Sequence, residues 1–377
     1  MRKILFITSS RADYGLMKNL ILETQKINKE TYLLVTGSHL SQEFGGTYAE
    51  IKKDNIKKVF KRKILEKKFK DKNIQNYLSN AIKITSNFIK VKKPDVIVIL
   101  GDRYELLGCA IAAMLLRVPI AHIHGGELSI GAYDDSIRHS ITKLSHLHFP
   151  IHETYKKRLI QMGENPKTIF NFGSLGSYSI NKEKLFTKNK IEKILNINLN
   201  KKILLVTFHP VTLEKNKSKF YVKNLIKFLE KLDNYFIIIS SPNFDSETFA
   251  VKEKLINFSK KKKNVLFKNS FGRKLYLSLM KIAFVVIGNS SSGILETPSF
   301  GVRTINIGDR QKGRITTPNI INCDYKYESI KRAFYKVTKK MKKTKNPFLK
   351  KNTTRKIANK LLSFKFKIKK EFFNIKF

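Results

Sequence analysis

The stretch HIHGGELSIGAYDD, residues 122–135, gathers two histidines, a glutamate and two aspartates around three glycines. Imidazole and carboxylate are the side chains best suited to moving protons near neutral pH, and burial or a charged neighbour tunes each of them. His124 and Glu127 flank the glycine pair and are candidates for that work. Ile137, Ile141 and Leu144 recur at helical spacing, so a helix should begin at Asp134. Capping accounts for one of Asp134 and Asp135 but not for both. Asp102, in LGDRYE, would serve equally as an ordinary N-cap or as another acid/base group. His122 alternates inward along IAHI and reads as a hydrogen-bonded core histidine. Nothing in the spacing resembles HExxH or CxxC, so no metal is expected.

The cations complement these acids. Arg11, Arg103, Arg310 and Arg314 each follow an apolar run, and the planar guanidinium suits phosphate or carboxylate. The stretch IGNSSSGILETPSFG, residues 287–301, reads as a strand end, a small-residue turn and a helix start. One of its serines could simply be an N-cap. A turn of this kind also exposes backbone N–H groups and hydroxyls to an anion, and with the arginines it points to a diphosphate. Glu296, six residues after Ser290, could accept hydrogen bonds from ribose hydroxyls.

These residues need a scaffold that brings strand ends together. Short β-branched runs recur, each followed by a polar turn and a helical period: KILFITS, TYLLVTG, DVIVIL, IAHIH and IFNFG, then KILLVTF, YFIIIS, NVLF, FVVIG and RTINIG. Near-continuous apolar strands imply parallel sheets covered on both faces. The expected fold is α/β, with two Rossmann-like doubly wound domains facing across a cleft. Residues 1–180 would form the first domain and carry most acid/base groups. Residues 181–350 would form the nucleotide-binding second, and 351–377 a basic helical tail. The polar clusters follow the apolar runs, as they must if a ligand sits at the carboxyl ends of the strands.

Composition narrows the class. The chain has 377 residues, 42% hydrophobic and 28% charged, which suits a globular protein with a large core. No apolar run approaches membrane-spanning length, and the apolar run after MRK is too short for a secretory signal. The two cysteines, Cys109 and Cys323, form no disulfide framework, so a reducing cytoplasm is expected. The net charge of +46 invites polyanions. The lysines are scattered, however, and no nucleic-acid-binding pattern accompanies them, so neither a specific nucleic acid nor a membrane is the expected partner.

SRADYG, GDRYE, HIHGGE followed by YDDSIRHSITKLSHLHF, FHPVTLE, and GNSSSGILE followed by INIGDRQKGR occur in this order. Together they resemble the hydrolysing UDP-N-acetylglucosamine 2-epimerases of bacterial sialic acid and legionaminic acid synthesis, from residue 2 to about 320. The resemblance implies a fold like that of the GT-B glycosyltransferases and a sequence of elimination and hydration. A base removes the C2 proton, the nucleoside diphosphate leaves by anti elimination, and water adds to the 2-acetamidoglucal. It further implies catalytic roles for Asp102, His124, Glu127, Asp134 and His209. Arg11, Arg103, Asn243, Phe271, Ser290, Ser291, Glu296 and Arg310 would contact the substrate. No cofactor is implied, and a homo-oligomer is allowed. Several relatives read HIEGGE where this chain has HIHGGE, so the identity of one acid/base group turns on that position. The leading expectation is conversion of UDP-N-acetylglucosamine to N-acetylmannosamine and UDP. The alternative is the same chemistry on a nucleotide-linked 2,4-diacetamido-2,4,6-trideoxyglucose. A GT-B glycosyltransferase, which needs an acceptor, and a basic nucleic-acid-binding protein are the remaining rivals.

Overall fold

A computed structural model describes residues 1–65, 73–214, 216–242, 247–338 and 344–375. The strands of the first half are β1 (Ile4–Thr8), β2 (Thr31–Val35), β3 (Val59–Lys61), β4 (Val96–Leu100), β5 (Ile120–Ile123) and β6 (Leu147–Phe149). Those of the second half are β7 (Lys202–Thr207), β8 (Tyr235–Ser240), β9 (Val265–Lys268), β10 (Val285–Gly288), β11 (Arg303–Ile307) and β12 (Ile320–Cys323). Each half builds one parallel six-stranded sheet, in the orders β3-β2-β1-β4-β5-β6 and β12-β11-β10-β7-β8-β9. Counted from its own first strand, each sheet has the order 3-2-1-4-5-6 of a doubly wound fold, with the switch point beside β1 or β7.

The strand sequences explain why helices cover both faces. In β1, Ile4 and Phe6 enter one apolar cluster while Leu5 and Ile7 enter another on the opposite face. In β7, Leu204 and Val206 divide from Ile203 and Leu205 in the same way. A strand apolar on both faces cannot remain at a surface.

The chain divides into two compact units. The first comprises Met1–Glu127, Asp134–Ser179 and Phe348–Phe377, and the second Leu128–Tyr133 and Ile180–Pro347. The basic tail belongs to the first unit: its helix Thr353–Ser363 puts Ile357, Ala358 and Leu361 into the core that also holds Met17, Leu20 and Ile21 of helix Arg11–Ile27. Among the described residues no helix is long and apolar enough to cross a membrane.

Two local expectations are corrected. IFNFG forms no strand: Ile169 makes one isolated bridge to His148, and the sixth position of the sheet goes to β6, with β3 at the other edge. The helix expected after GNSSSG is two single turns, Ser292–Leu295 and Thr297–Phe300. Pro298 has no N–H to continue the ladder, and the helix breaks one turn in.

Candidate active site

In the first unit the carboxyl ends of β1, β4 and β5 carry the ionisable residues. Ser10 caps helix Arg11–Ile27 in a capping box with Asp13. The Asp13 carboxylate accepts from the Ser9 and Ser10 backbone N–H groups at 3.1 and 3.0 Å, from both serine hydroxyls, and from Thr8. Burial pushes its proton affinity up, against the opposing effect of those donors and of Arg103. Arg11 occupies the first helical position, half-buried.

Arg103 and Asp102 precede helix Tyr104–Leu115. Arg103 Nε lies 3.2 Å from Oε2 of Glu105, a fully buried carboxylate whose proton affinity burial raises and Arg103 lowers. Asp102 accepts from Arg138, which is 1% exposed. The same guanidinium donates to the Glu127 carbonyl at 2.9 Å and to Asp135 at 3.4 Å. Arg138 therefore joins the segments that follow β4 and β5: one arginine, on the helix Asp134–Leu144, orients Asp102 and fixes the loop that ends in Glu127.

His124 sits at φ +69°, in the left-handed region that few non-glycine residues adopt. Its Nδ1 lies 2.6 Å from Glu127 Oε1, and both residues are buried. Its Nε2 has no hydrogen-bond partner among the described residues. His122 is the core histidine expected: Nε2 donates to the Gly101 carbonyl at 2.8 Å, leaving Nδ1 to accept from the Thr142 hydroxyl at 3.1 Å. Burial brings its pKa down to about 3, so this ring stays neutral.

In the second unit, Asn289 organises the corresponding strand ends. Its side chain receives the His209 N–H at 2.7 Å and donates to the His209 carbonyl at 2.9 Å. Its own carbonyl accepts from Gln311 at 2.9 Å and from Arg310 at 3.4 Å. Gly288 makes this turn possible: at φ +139°, an added Cβ would fall 1.9 Å from the Thr207 carbonyl oxygen. Ser290 and Ser292 pair through their hydroxyls at 3.0 Å, and Tyr276 bridges Ser292 to Thr207 at 3.0 and 3.1 Å. Ser291 opens the first short turn without a side-chain cap bond. Glu296 is buried against Arg273 at 3.0 Å, and Phe271, the N-cap of helix Gly272–Ile282, lies in the second unit's core. Arg314 donates to the Leu128 carbonyl at 3.1 Å and to Ser129 at 3.3 Å, tying residues of the HGGE to YDD connection into this unit.

The residues named from the sequence thus fall into two groups. Arg11, Asp102, Arg103, His124, Glu127 and Asp134 belong to the first unit; His209, Phe271, Ser290, Ser291, Glu296 and Arg310 belong to the second. Asn243 lies outside the described residues. Asp13, Glu105, Arg138, Asn289 and Tyr276 were not singled out. All but Tyr276 lie within the quoted motifs, but an ion pair formed across thirty residues leaves no local spacing to read.

This chain matches the family model for UDP-N-acetylglucosamine 2-epimerase over residues 22–362. It is 45% identical to a GDP/UDP-N,N'-diacetylbacillosamine 2-epimerase (hydrolyzing) of Campylobacter jejuni, over 90% of this chain and 88% of that one. It is 35% identical to a UDP-N-acetylglucosamine 2-epimerase of Neisseria meningitidis serogroup B, over 88% and 86%. Among solved structures, the UDP-GlcNAc 2-epimerase from Neisseria meningitidis bound to UDP-GlcNAc superposes with a TM-score of 0.79 at 19% identity, covering 96% of this chain and all of that one. That likeness carries the fold, and the sequence matches carry the kinship: the chain belongs to the UDP-N-acetylglucosamine 2-epimerase family.

Proposed function

We propose that this chain is a hydrolysing 2-epimerase whose substrate is a nucleoside diphosphate-linked N,N'-diacetylbacillosamine, a 2,4-diacetamido-2,4,6-trideoxyglucose. The observation that carries the chemistry is the buried pair His124 and Glu127 beside the Asp102–Arg138 pair, with Asp134 opening the helix that bears Arg138. Proton removal from a weakly acidic carbon needs a desolvated base, and this is the part of the chain where such bases gather.

The Glu127 carboxylate beside Nδ1 favours the tautomer with its proton there, leaving the Nε2 lone pair as the base for the C2 proton. The C2–H electron pair forms the C1–C2 double bond as the C1–O bond to the diphosphate breaks. Water then adds its oxygen to C1, and a proton returns to C2 on the opposite face. Asp102 and Asp134 are assigned to that second proton transfer. His209, which the resemblance offers as a catalytic group, is assigned here to the nucleotide with Ser290, Ser291, Arg310 and Glu296 of the second unit and Arg11 and Arg103 of the first. Phe271 and Asn243 complete the substrate-binding set.

The order of the two substrates drawn from the sequence is reversed here, because the relative named for the diacetamido sugar is 45% identical and the one named for UDP-N-acetylglucosamine 35%. UDP-N-acetylglucosamine stands second. The test is to offer the purified protein UDP- and GDP-linked diacetylbacillosamine and UDP-N-acetylglucosamine, and to identify the free sugar. In D2O the product should carry deuterium at C2, and in labelled water the oxygen at C1. A free sugar with C2 untouched would mean direct hydrolysis, and no release from any donor would remove the activity.

A further inference from the structure

Helix Asp134–Leu144 bears Asp134 and Arg138 near its start, but its other end is held by a distant part of the chain. Beyond the helix Thr353–Ser363, an extended segment returns to it. Lys370 Nζ donates to the Lys143 carbonyl at 2.7 Å and the Thr142 carbonyl at 3.4 Å. A helix C-terminus offers unsatisfied carbonyls and the negative end of its dipole, and an ammonium answers both. The same Nζ lies 2.7 Å from Oε2 of Glu164, a buried carboxylate that also receives Lys143 at 2.8 Å and His148 at 2.9 Å.

Around Lys370 the segment is held by polar bonds, while Phe364 and Phe366 at its start pack against the first unit's core. Phe373 N–H donates to the Gly163 carbonyl at 2.9 Å, and His146 Nε2 donates to the Ile368 carbonyl at 3.3 Å. Phe372 is 64% exposed, its ring under the Lys143 ammonium at 4.8 Å and against Gly163, where an added Cβ would fall 2.3 Å away. Lys370, 25% exposed as a side chain, is the inward anchor.

From this end of the helix a short route leads to Asp102. Thr142, whose carbonyl Lys370 holds, pairs through its hydroxyl with His122, and His122 donates to Gly101, the residue before Asp102. Arg138, one turn earlier on the same helix, donates to Asp102 directly. We infer that Lys370 is a positioning residue: the segment around it straps the C-terminal end of helix Asp134–Leu144 and so fixes the placement of Asp134, Arg138 and Asp102. The inference rests on the proposed function only for its effect on turnover; the strap itself can be read without any substrate.

The experiment compares Lys370→Met, Lys370→Arg and Phe373→Pro in the full chain, the last removing the backbone donor to Gly163 without touching a charge. Hydrogen exchange at the amides of residues 138–144 should rise about tenfold in Lys370→Met and Phe373→Pro, as local opening becomes easier. On the substrate identified for the enzyme, kcat should fall about tenfold with KM within about twofold, since misplaced groups lose orientation and not binding. Lys370→Arg should restore most of both. Exchange unchanged in Lys370→Met and Phe373→Pro would overturn the strap, whatever the substrate proves to be. Faster exchange with kcat unchanged would overturn the positioning role. Should no nucleotide sugar turn over even in the unmodified chain, the proposed function fails and the exchange data alone decide the strap.

Discussion

The two units share one strand order and differ in what they bury at the strand ends. In the first, the loops after β1, β4 and β5 hold Asp13, Asp102, Arg103, Glu105, His124 and Glu127, most of them engaged with one another. In the second, the loops after β7, β10 and β11 are tied by an asparagine, a glutamine, serines and a tyrosine, with Arg310 donating to the Asn289 carbonyl. Burying ions is costly, and it shifts their pKa values; burying hydrogen-bonded amides and hydroxyls costs less and leaves nothing to titrate. One scaffold therefore carries two kinds of strand end: buried, mutually engaged ions predominate in the first unit, while amide and hydroxyl bonds close the serine turn of the second, with His209 and the Glu296–Arg273 pair beside them. Proton transfer requires the former, and holding a diphosphate needs only the latter.

The division is most exposed to Asp102→Asn. If the first unit carries the chemistry, kcat should fall on the order of a hundredfold or more while UDP affinity, measured by titration calorimetry, stays within about twofold. Loss of UDP binding in this variant would break the division. Asn289→Ala is the mirror experiment. It strands the buried N–H and carbonyl of His209, at about 1–3 kcal/mol, and the loosened turn should weaken UDP binding about tenfold or more. An unchanged UDP affinity would show that the second unit's amide network does not support the nucleotide.

The sheets were legible in the sequence because their central strands are apolar on both faces. β1, β2, β4 and β5, and β7 to β11, all fall on runs recognisable from composition alone. The edges were not. VFK of β3 lies inside KKVFKRK, where lysines that keep an edge strand soluble also hide it. LHF of β6 is only three residues long, while IFNFG has the composition of a strand and bends away at Gly173, φ +85°. Of the candidate site, residues sitting at strand ends were visible one by one. Their partners were not: Arg138 reaches Asp102 across 36 residues, Asn289 reaches His209 across 80, and Lys370 reaches Lys143 across 227. Local spacing carries no trace of such pairs.

Acid should separate the units more gently. Burial holds His39 and His122 near a pKa of about 3, against 6.5 in an open chain. For Glu164 burial works the other way, but His148, Lys370 and Lys143 outweigh it and bring the carboxyl down to about 2 from 4.5. All three are depressed in the folded state, so the unfolded chain takes up protons first as the pH falls. Their contributions are fully present above about pH 6.5 for the histidines and 4.5 for the glutamate, and are lost progressively down to pH 3 and 2. The lowered carboxylates of the second unit, Glu214 and Asp233, lie toward solvent and contribute less. Segment-resolved hydrogen exchange between pH 7 and 4 should therefore show protection falling earlier in β5 and β6 than in β7 and β8. Loss in the reverse order would mean that His122, His148 and Glu164 do not set the acid sensitivity of β5 and β6.

The smallest effect expected is that of Tyr276→Phe, and it asks how evenly the second unit shares its hydrogen bonds. The Tyr276 hydroxyl spans Thr207 at the end of β7 and Ser292 in the serine turn. Its removal deletes both links, but Ser292 keeps Ser290 at 3.0 Å, and the Asn289 bonds to His209 are untouched. The net loss should be about 1 kcal/mol, the usual worth of a hydrogen bond exchanged with water, which lowers the melting midpoint of a unit of the second's size by about 2–4 °C. The turn would remain closed by its other bonds, so UDP affinity should fall by no more than about threefold and kcat hardly at all. A loss of affinity as large as that of Asn289→Ala would show that the serine turn is positioned from Tyr276 and not from Asn289, and the hub of the second unit would move to the helix Gly272–Ile282.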